Sequence, residues 1–233
     1  MRKLQKYLDD FLGIFFPNLC LACMDEHPMQ DDILCVECYY GLPKTGFHLI
    51  DKNQMFHKLA GKVWFEKATA LYYFQKDGPT QKLIHNLKYD DQINVGTYLG
   101  KYYGTILKNS EWCQDIDFII PVPLHKRKLH KRGYNQSQLI AEGLSESTGI
   151  PVSIKALLRV TNSKSQTKKN LLERLYNVES VFQANPRFSL KGMHILIVDD
   201  VMTTGATLVS CADAIYEVTK DVKISFVSML YVE

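Results

Sequence analysis

The stretch that decides the fold is His194-Ile-Leu-Ile-Val-Asp-Asp-Val-Met-Thr-Thr-Gly-Ala-Thr207. Residues 194–198 predict a strand buried on both faces. Two carboxylates follow, Asp199 and Asp200, then a hydroxyl-rich turn ending in Gly205. Residues 206–216 predict a helix, with Leu208, Ala212, Ile215 and Tyr216 on one face. In an open α/β sheet, ligands bind beyond the carboxyl ends of the strands, and this turn lies there. Gly205 permits a tight turn and a close backbone approach. The free N–H groups of the helix start, its partial positive charge and the hydroxyls of Thr203, Thr204 and Thr207 suit a monophosphate. The carboxylates would repel that phosphate. They suit a neighbouring donor of hydrogen bonds, such as the vicinal hydroxyls of a ribose, and a sugar 5-phosphate meets both demands. Aspartates before a helix also act as simple caps, and acidic pockets mark receiver domains. The complete string argues against both. A receiver pocket opens its domain, whereas this one lies near the end of its own.

Working outward, strands and helices alternate. Residues 68–74 predict a strand, 79–89 and 94–107 helices, and 117–120 a short buried strand stopped by Pro121 and Pro123. Residues 135–147 predict a helix, 151–158 a strand, 161–170 a polar basic loop, 171–178 a short helix and 224–232 a final strand. This order implies an α/β fold with a mostly parallel sheet covered by helices on both faces. The length of 233 residues suits one sizeable domain and a small appendage. The expected division is 1–45, a helix and a cysteine-rich element; 46–67, a connector; and 68–233, the α/β domain.

Cys20-Leu-Ala-Cys23 and Cys35-Val-Glu-Cys38 are separated by eleven residues. Each Cys-x-x-Cys turn presents two thiolates to one metal, and two such turns make a tetrahedral site suited to structural zinc. A closed four-ligand site leaves no position for substrate, so scaffolding or partner binding is expected of it. This clustering also points to a reducing compartment rather than a disulfide scaffold. His27 is expected to be exposed rather than a ligand, and Cys113 and Cys211 to be packing residues. Leu4, Leu8, Phe11, Leu12 and Phe15 recur at helical spacing, which predicts a packing helix, with a membrane-surface or partner helix as the alternative. No apolar run is long enough to span a bilayer, and no signal peptide is expected.

Positive charge is concentrated. Residues 125–132 and 155–174 each carry +5, against +3 for the whole chain, so the remainder sums to about −7. Both segments are expected as loops facing the ligand edge, where such focusing attracts a polyanion, either a diphosphate or a nucleic-acid backbone. Solvated basic loops are the plainer reading.

Residues 195–207 resemble the phosphoribosyl-diphosphate (PRPP) signature of type I phosphoribosyltransferases. The resemblance implies that Asp199 and Asp200 hold the ribose 2- and 3-hydroxyls. It implies that Thr203, Thr204, Gly205, Ala206 and Thr207 hold the 5-phosphate, and that Mg2+ bridges diphosphate and ribose oxygens. By the same resemblance the turn at about 122–128 binds diphosphate and a mobile loop at about 159–171 closes over it. Lys126, Arg127, Lys128, Arg159 and Lys164 are then the diphosphate stabilisers. His130-Lys-Arg-Gly-Tyr-Asn-Gln-Ser137 resembles the Arg-Gly-Phe-Asn-Gln segment of the ComF (ComFC-type) competence family. Leu87-Lys-Tyr89 fits that family, as do Arg159, Thr161, Gln166, Arg174, Asn177, Val178 and Phe182 in its spaced pattern. ComF relatives also share an N-terminal zinc element.

Phosphoribosyl transfer breaks the anomeric C–O bond, and a protein assists by positioning and by stabilising the leaving diphosphate. No residue is assignable to an acceptor base, and no catalytic residue is assigned. The resemblance therefore implies a cytoplasmic PRPP-binding protein of competence, handling single-stranded DNA, with a peripheral position at the inner membrane face as a variant. Tyr39, Tyr40, Tyr134 and Tyr176 are the expected base-stacking residues. An active phosphoribosyltransferase joining a base to PRPP is the alternative, and an adaptor for a DNA-translocating helicase a third reading.

Overall fold

The computed structural model describes residues 19–30, 32–89, 93–160 and 181–233. The amphipathic stripe of residues 4–15, the loop expected at 161–170 and the helix expected at 171–178 lie outside them.

Four strands form a parallel sheet in the order β1-β6-β5-β2, namely β1 (Ala68–Tyr73), β6 (Val222–Tyr231), β5 (Met193–Met202) and β2 (Phe118–Pro121). Both faces are covered. Leu196 and Val198 of β5 join one apolar cluster, while Ile195 and Ile197 join the other. This two-residue alternation between two buried faces explains the unbroken apolar reading of the strand.

One face carries α3 (Pro79–Tyr89), α4 (Ile93–Asn109) and α6 (Gln136–Thr148). Helices α4 and α6 meet backbone to backbone. A Cβ on Gly100 would lie 2.1 Å from the Ile140 carbonyl oxygen, and one on Gly143 would lie 2.2 Å from that of Thr97. This contact fixes α6, whose first turn opens on the ligand edge. The other face carries α2 (Gln54–Leu59), α7 (Ala206–Tyr216) and a two-stranded antiparallel unit of β3 (Leu157–Arg159) and β4 (Phe182–Ala184).

Three segments differ from the sequence reading. The strand expected at 151–158 is mostly irregular. Only Val152 bridges Ile119; the chain then leaves the main sheet, and Leu157–Arg159 pairs with Phe182–Ala184 instead. The basic segment 125–132, expected as a loop, contains a helix, α5 (Lys126–Arg132). Nδ1 of His125 accepts from the Arg127 N–H, and Gly133 ends the helix at φ +79°. Lys and Arg are good helix formers, but a run without apolar spacing gives no period to read. The connector 46–67 is also structured, holding a 3-10 turn (Phe47–Leu49) and α2. Asn53 caps α2 by accepting from the Phe56 N–H, and donates to the carbonyls of Phe47, Ile50 and Ala68. Met55 and Leu59 of α2 are fully buried. A helix of six residues is too short to declare itself by periodicity.

Candidate functional site

Strand β5 continues past the apolar run because β6 pairs with it as far as Met202–Tyr231. Asp199 and Asp200 therefore sit on a rigid strand end rather than in the turn. They form one wall of a cleft of about 400 Å3, which also takes in Thr203 and Thr207. Gly205 stands at φ +80° and starts α7, with the Ala206 N–H directed at Oγ1 of Thr204. A Cβ at Gly205 would lie 2.4 Å from Cδ2 of Leu59, so the buried α2 backs the turn. Lys62 Nζ donates to the Thr204 carbonyl at 3.0 Å and places a cation beside the same turn.

The two aspartates differ in environment. Asp199 is 9% exposed; its Oδ1 accepts from the Asp200 N–H at 2.9 Å and from the Ser137 hydroxyl at 3.2 Å. Burial, reinforced by the neighbouring Asp200 charge, pushes its carboxyl up to about 7. Asp200 instead meets Lys88, whose Nζ lies 3.0 Å from Oδ2. Those side chains are 26% and 17% exposed, so the pair is only partly screened by water.

Lys128, Arg132, Arg159 and Lys88 bring positive charge to the cleft. Of the five cations expected at the diphosphate, Lys128 and Arg159 line it, Lys126 and Arg127 do not, and Lys164 lies outside the described residues. Helix α5 explains the selection, because residues 128 and 132 are four apart and share a face. Sequence reasoning missed Lys62, Lys88, Gln136 and Ser137 as parts of the site. Two signals were present: Lys88 in the Leu87-Lys-Tyr89 string, and Gln136-Ser137 at the end of the 130–137 string.

The cysteine element is a separate site. The Sγ atoms of Cys20, Cys23, Cys35 and Cys38 all lie within 4.8 Å of one another, with Cys23 and Cys35 at 3.9 Å. Zn–S bonds of about 2.3 Å set a tetrahedral S–S edge of roughly 3.8 Å, so the four thiols fit that ion. Burial opposes ionisation of Cys23, but hydrogen bonds from the backbone of Glu26 and Asp25 and from the Cys20 and Cys38 thiols bring it down to about 7. Burial pushes the Cys35 and Cys38 thiols up. The short helix α1 (Val36–Gly41) starts at Cys35, whose Sγ accepts from the Cys38 N–H. The element docks on α3, where Lys82 Nζ donates to the Cys23 carbonyl and Asn86 Nδ2 to that of Leu21.

Near this element the tyrosines gather. Tyr39 packs edge-on against Tyr40 and Tyr102, and Lys44 Nζ lies 5.6 Å from the ring centres of both Tyr39 and Tyr102. Tyr40 is 74% exposed. The Tyr134 hydroxyl donates to the Leu87 carbonyl, and Tyr176 lies outside the described residues. No helix among the described residues is long and apolar enough to cross a membrane.

Residues 135–227, which take in the strand-end acidic pair, the glycine turn and the start of α7, match the family model "Phosphoribosyl transferase domain". The chain is 29% identical over 198 residues to the "DNA utilization protein YhgH" of Shigella flexneri, covering 84% of this chain and 82% of that protein. It is 37% identical over 112 residues to the "Competence protein ComFC" of Bacillus subtilis, covering 48% of this chain and 43% of that one. A solved B. subtilis glutamine PRPP amidotransferase, complexed with ADP and GMP, aligns with a TM-score of 0.42 at 21% identity. That alignment takes in 62% of this chain and only 30% of the amidotransferase. The chain is thus similar both to a protein named for DNA utilization and to one named for competence.

Proposed function

We propose that the cleft binds PRPP and that the protein serves DNA uptake and use in competence. The single observation that carries the PRPP reading is the junction of β5 with α7. There a buried and a lysine-paired carboxylate stand beside a Thr-Thr-Gly turn within one cleft. Asp199 and Asp200 accept from the ribose hydroxyls, and residues 203–207 hold the 5-phosphate with Lys62 behind them. The carboxylate oxygens are the donor class that Mg2+ takes. Held there with PRPP, that ion would supply positive charge to offset the diphosphate. A zinc ion held by Cys20, Cys23, Cys35 and Cys38 would fix the N-terminal element. The relatives' names, competence protein and DNA utilization protein, support the cellular role.

Single-stranded DNA is the proposed macromolecular partner, and a DNA-translocating helicase a further one. The specific support for DNA is the Tyr39, Tyr40, Tyr102 and Lys44 cluster, in which the Tyr40 ring is exposed and a cation lies over its neighbours. The place of action is the cytoplasm. A phosphoribosyl transfer to a base is the second reading, supported by the intact acidic pair and phosphate turn.

The test titrates the protein with Mg2+–PRPP and with labelled single-stranded DNA, each repeated with Asp199→Asn/Asp200→Asn. Wild type is expected to bind PRPP and the double variant to fail. Absence of PRPP binding in both sinks the cleft reading, and absence of DNA binding at low salt sinks the DNA reading. Turnover of PRPP with a panel of bases would favour the transferase.

A further inference from the structure

Gln136 is 2% exposed, lines the cleft beside Asp199 and Asp200, and its Nε2 has no hydrogen-bond partner. A buried amide donor without an acceptor carries its full desolvation penalty, and native proteins keep few such groups. Arg159 also lines the cleft, and its Nε is likewise buried without a partner, its guanidinium lying 5.2 Å from the Phe182 ring. Both groups only donate at these atoms, so both lack the same thing, an acceptor. Gln136 is the first residue of α6, a helix of 13 residues whose positive end therefore opens on the cleft. The first-turn amides themselves are engaged, since Asn135 accepts from the N–H groups of Ser137, Gln138 and Leu139. The helix contributes its field, and the unspent donor is the Gln136 side chain.

We propose that Gln136, with Arg159 as its companion, is the residue that takes the diphosphate end of the ligand, at the start of α6. This rests on the reading of the cleft as a PRPP site. The 5-phosphate turn at the start of α7 and the ribose pair Asp199–Asp200 account for the rest of that molecule. What remains is an anion with several acceptor oxygens, and two orphaned donors lining the cleft, one of them at a positive helix end, match it. The site is distinct from the Lys126-Arg127-Lys128 run, of which only Lys128 reaches the cleft. In the free protein the two donors are held unsatisfied, and the ligand's oxygens relieve them. Binding is thereby favoured at the diphosphate and not at the sugar.

The experiment is calorimetric titration of the full zinc-loaded chain with Mg2+–PRPP and with ribose 5-phosphate, using wild type, Gln136→Met and Gln136→Glu. Gln136→Met is expected to weaken PRPP about tenfold, the worth of one good hydrogen bond to a charged group, and to leave ribose 5-phosphate within about twofold. Gln136→Glu should weaken PRPP further, because a carboxylate repels the diphosphate. The melting temperature of ligand-free Gln136→Met should equal or exceed that of wild type, since an apolar side chain of similar shape removes the orphaned donor. Unchanged PRPP affinity in the Met variant overturns the proposal. So does equal loss of both ligands, or a lower melting temperature, which would mark Gln136 as a purely structural residue. If wild type binds ribose 5-phosphate and not PRPP, the diphosphate assignment fails. If it binds neither, the PRPP reading itself has failed.

Discussion

The cysteine element and the ligand cleft make a useful contrast, because they treat polar groups in opposite ways. In the element, four thiols face one another within 4.8 Å, and the backbone around them is tied to α3 by Lys82 and Asn86. All its chemistry points inward, and nothing is left open for a substrate. In the cleft, chemistry is left unfinished. Asp199 is buried and held near neutrality, Asp200 leans on a lysine, and Gln136 and Arg159 keep donors without acceptors. A closed set of ligands gives stability to a segment with little core of its own. An open set costs stability and confers affinity for whatever completes it. The contrast predicts that damage to the element is read mainly in folding, and damage to the cleft mainly in binding.

The largest effect should come from stripping the zinc proposed to sit among the four thiols. Structural zinc supplies on the order of 10 kcal/mol to small elements of this kind. Chelation, or Cys35→Ser, should therefore unfold the cysteine segment and expose Leu34 and Leu42, which are buried against the α3–α4 face. Loss of about one zinc per chain by metal analysis, with a fall in the melting temperature, is the expected outcome. A chain that keeps its melting temperature after zinc is stripped would break the comparison at its first point.

Asp199→Asn comes next, and it should separate binding from folding. The Asn oxygen still accepts from Ser137 and the Asp200 N–H, but the second oxygen becomes an amide N–H, which cannot accept from a ribose hydroxyl. PRPP affinity is expected to fall about a hundredfold, roughly 3 kcal/mol. Stability should move the other way. The folded carboxyl is raised to about 7, so between about pH 4 and pH 7 the folded state holds more protons than the unfolded one. Wild-type stability contributed by this group therefore falls as pH rises through that window. The Asn variant escapes the loss, so its melting temperature should exceed that of wild type at pH 8, and the advantage should vanish near pH 4. A variant that is less stable than wild type at pH 8 would contradict the assignment of Asp199 as a strained acid.

How much of this contrast was legible beforehand depends on sequence distance. The four cysteines are visible as ligands because each pair sits within one turn, and the acidic pair and phosphate turn are contiguous on a strand–turn–helix unit. The parallel α/β sheet follows from the same alternation of apolar strands and amphipathic helices. What completes the cleft arrives from far away. Leu59 and Lys62 come from a connector of weak periodicity, Lys88 from the end of α3, and Gln136 from the first turn of α6. Their roles depend on packing, in particular on the backbone contact at Gly100 and Gly143, and no local pattern announces it. The basic run at 125–132 shows the same limit: as a flat charge count it offers five cations equally, whereas Lys128 and Arg132, four apart on α5, line the cleft.

Lys88→Met sharpens the comparison on the cleft side. Removing the ammonium leaves Asp200 without its counter-charge and withdraws a cation from beside Asp199. Both changes disfavour a doubly ionised pair, and the cleft also loses positive charge for an anionic ligand. PRPP affinity should fall about tenfold at low salt, less at high salt where the partly exposed pair is screened. Zinc content should stay at the wild-type level. A Met variant that binds PRPP as well as wild type at low salt would remove Lys88 from the site.

The smallest effect tests whether the two regions are independent, because α3 touches both. Asn86 donates to the Leu21 carbonyl beside the thiols, and Lys88, two residues on, reaches Asp200. The helix between them is anchored by Leu83 and Leu87, both fully buried, and by the Tyr134 hydroxyl on the Leu87 carbonyl. Such an anchor should hold the position of Lys88 even when the hold on the cysteine element is loosened. Asn86→Ala is therefore expected to cost about 1 kcal/mol in chemical denaturation, the worth of one buried hydrogen bond. PRPP affinity should remain within about twofold, well below the tenfold step of 1.4 kcal/mol. A larger fall in affinity would mean that α3 transmits strain from the zinc element to the acidic pair. The closed site would then act on the open one, rather than merely supporting the chain beside it.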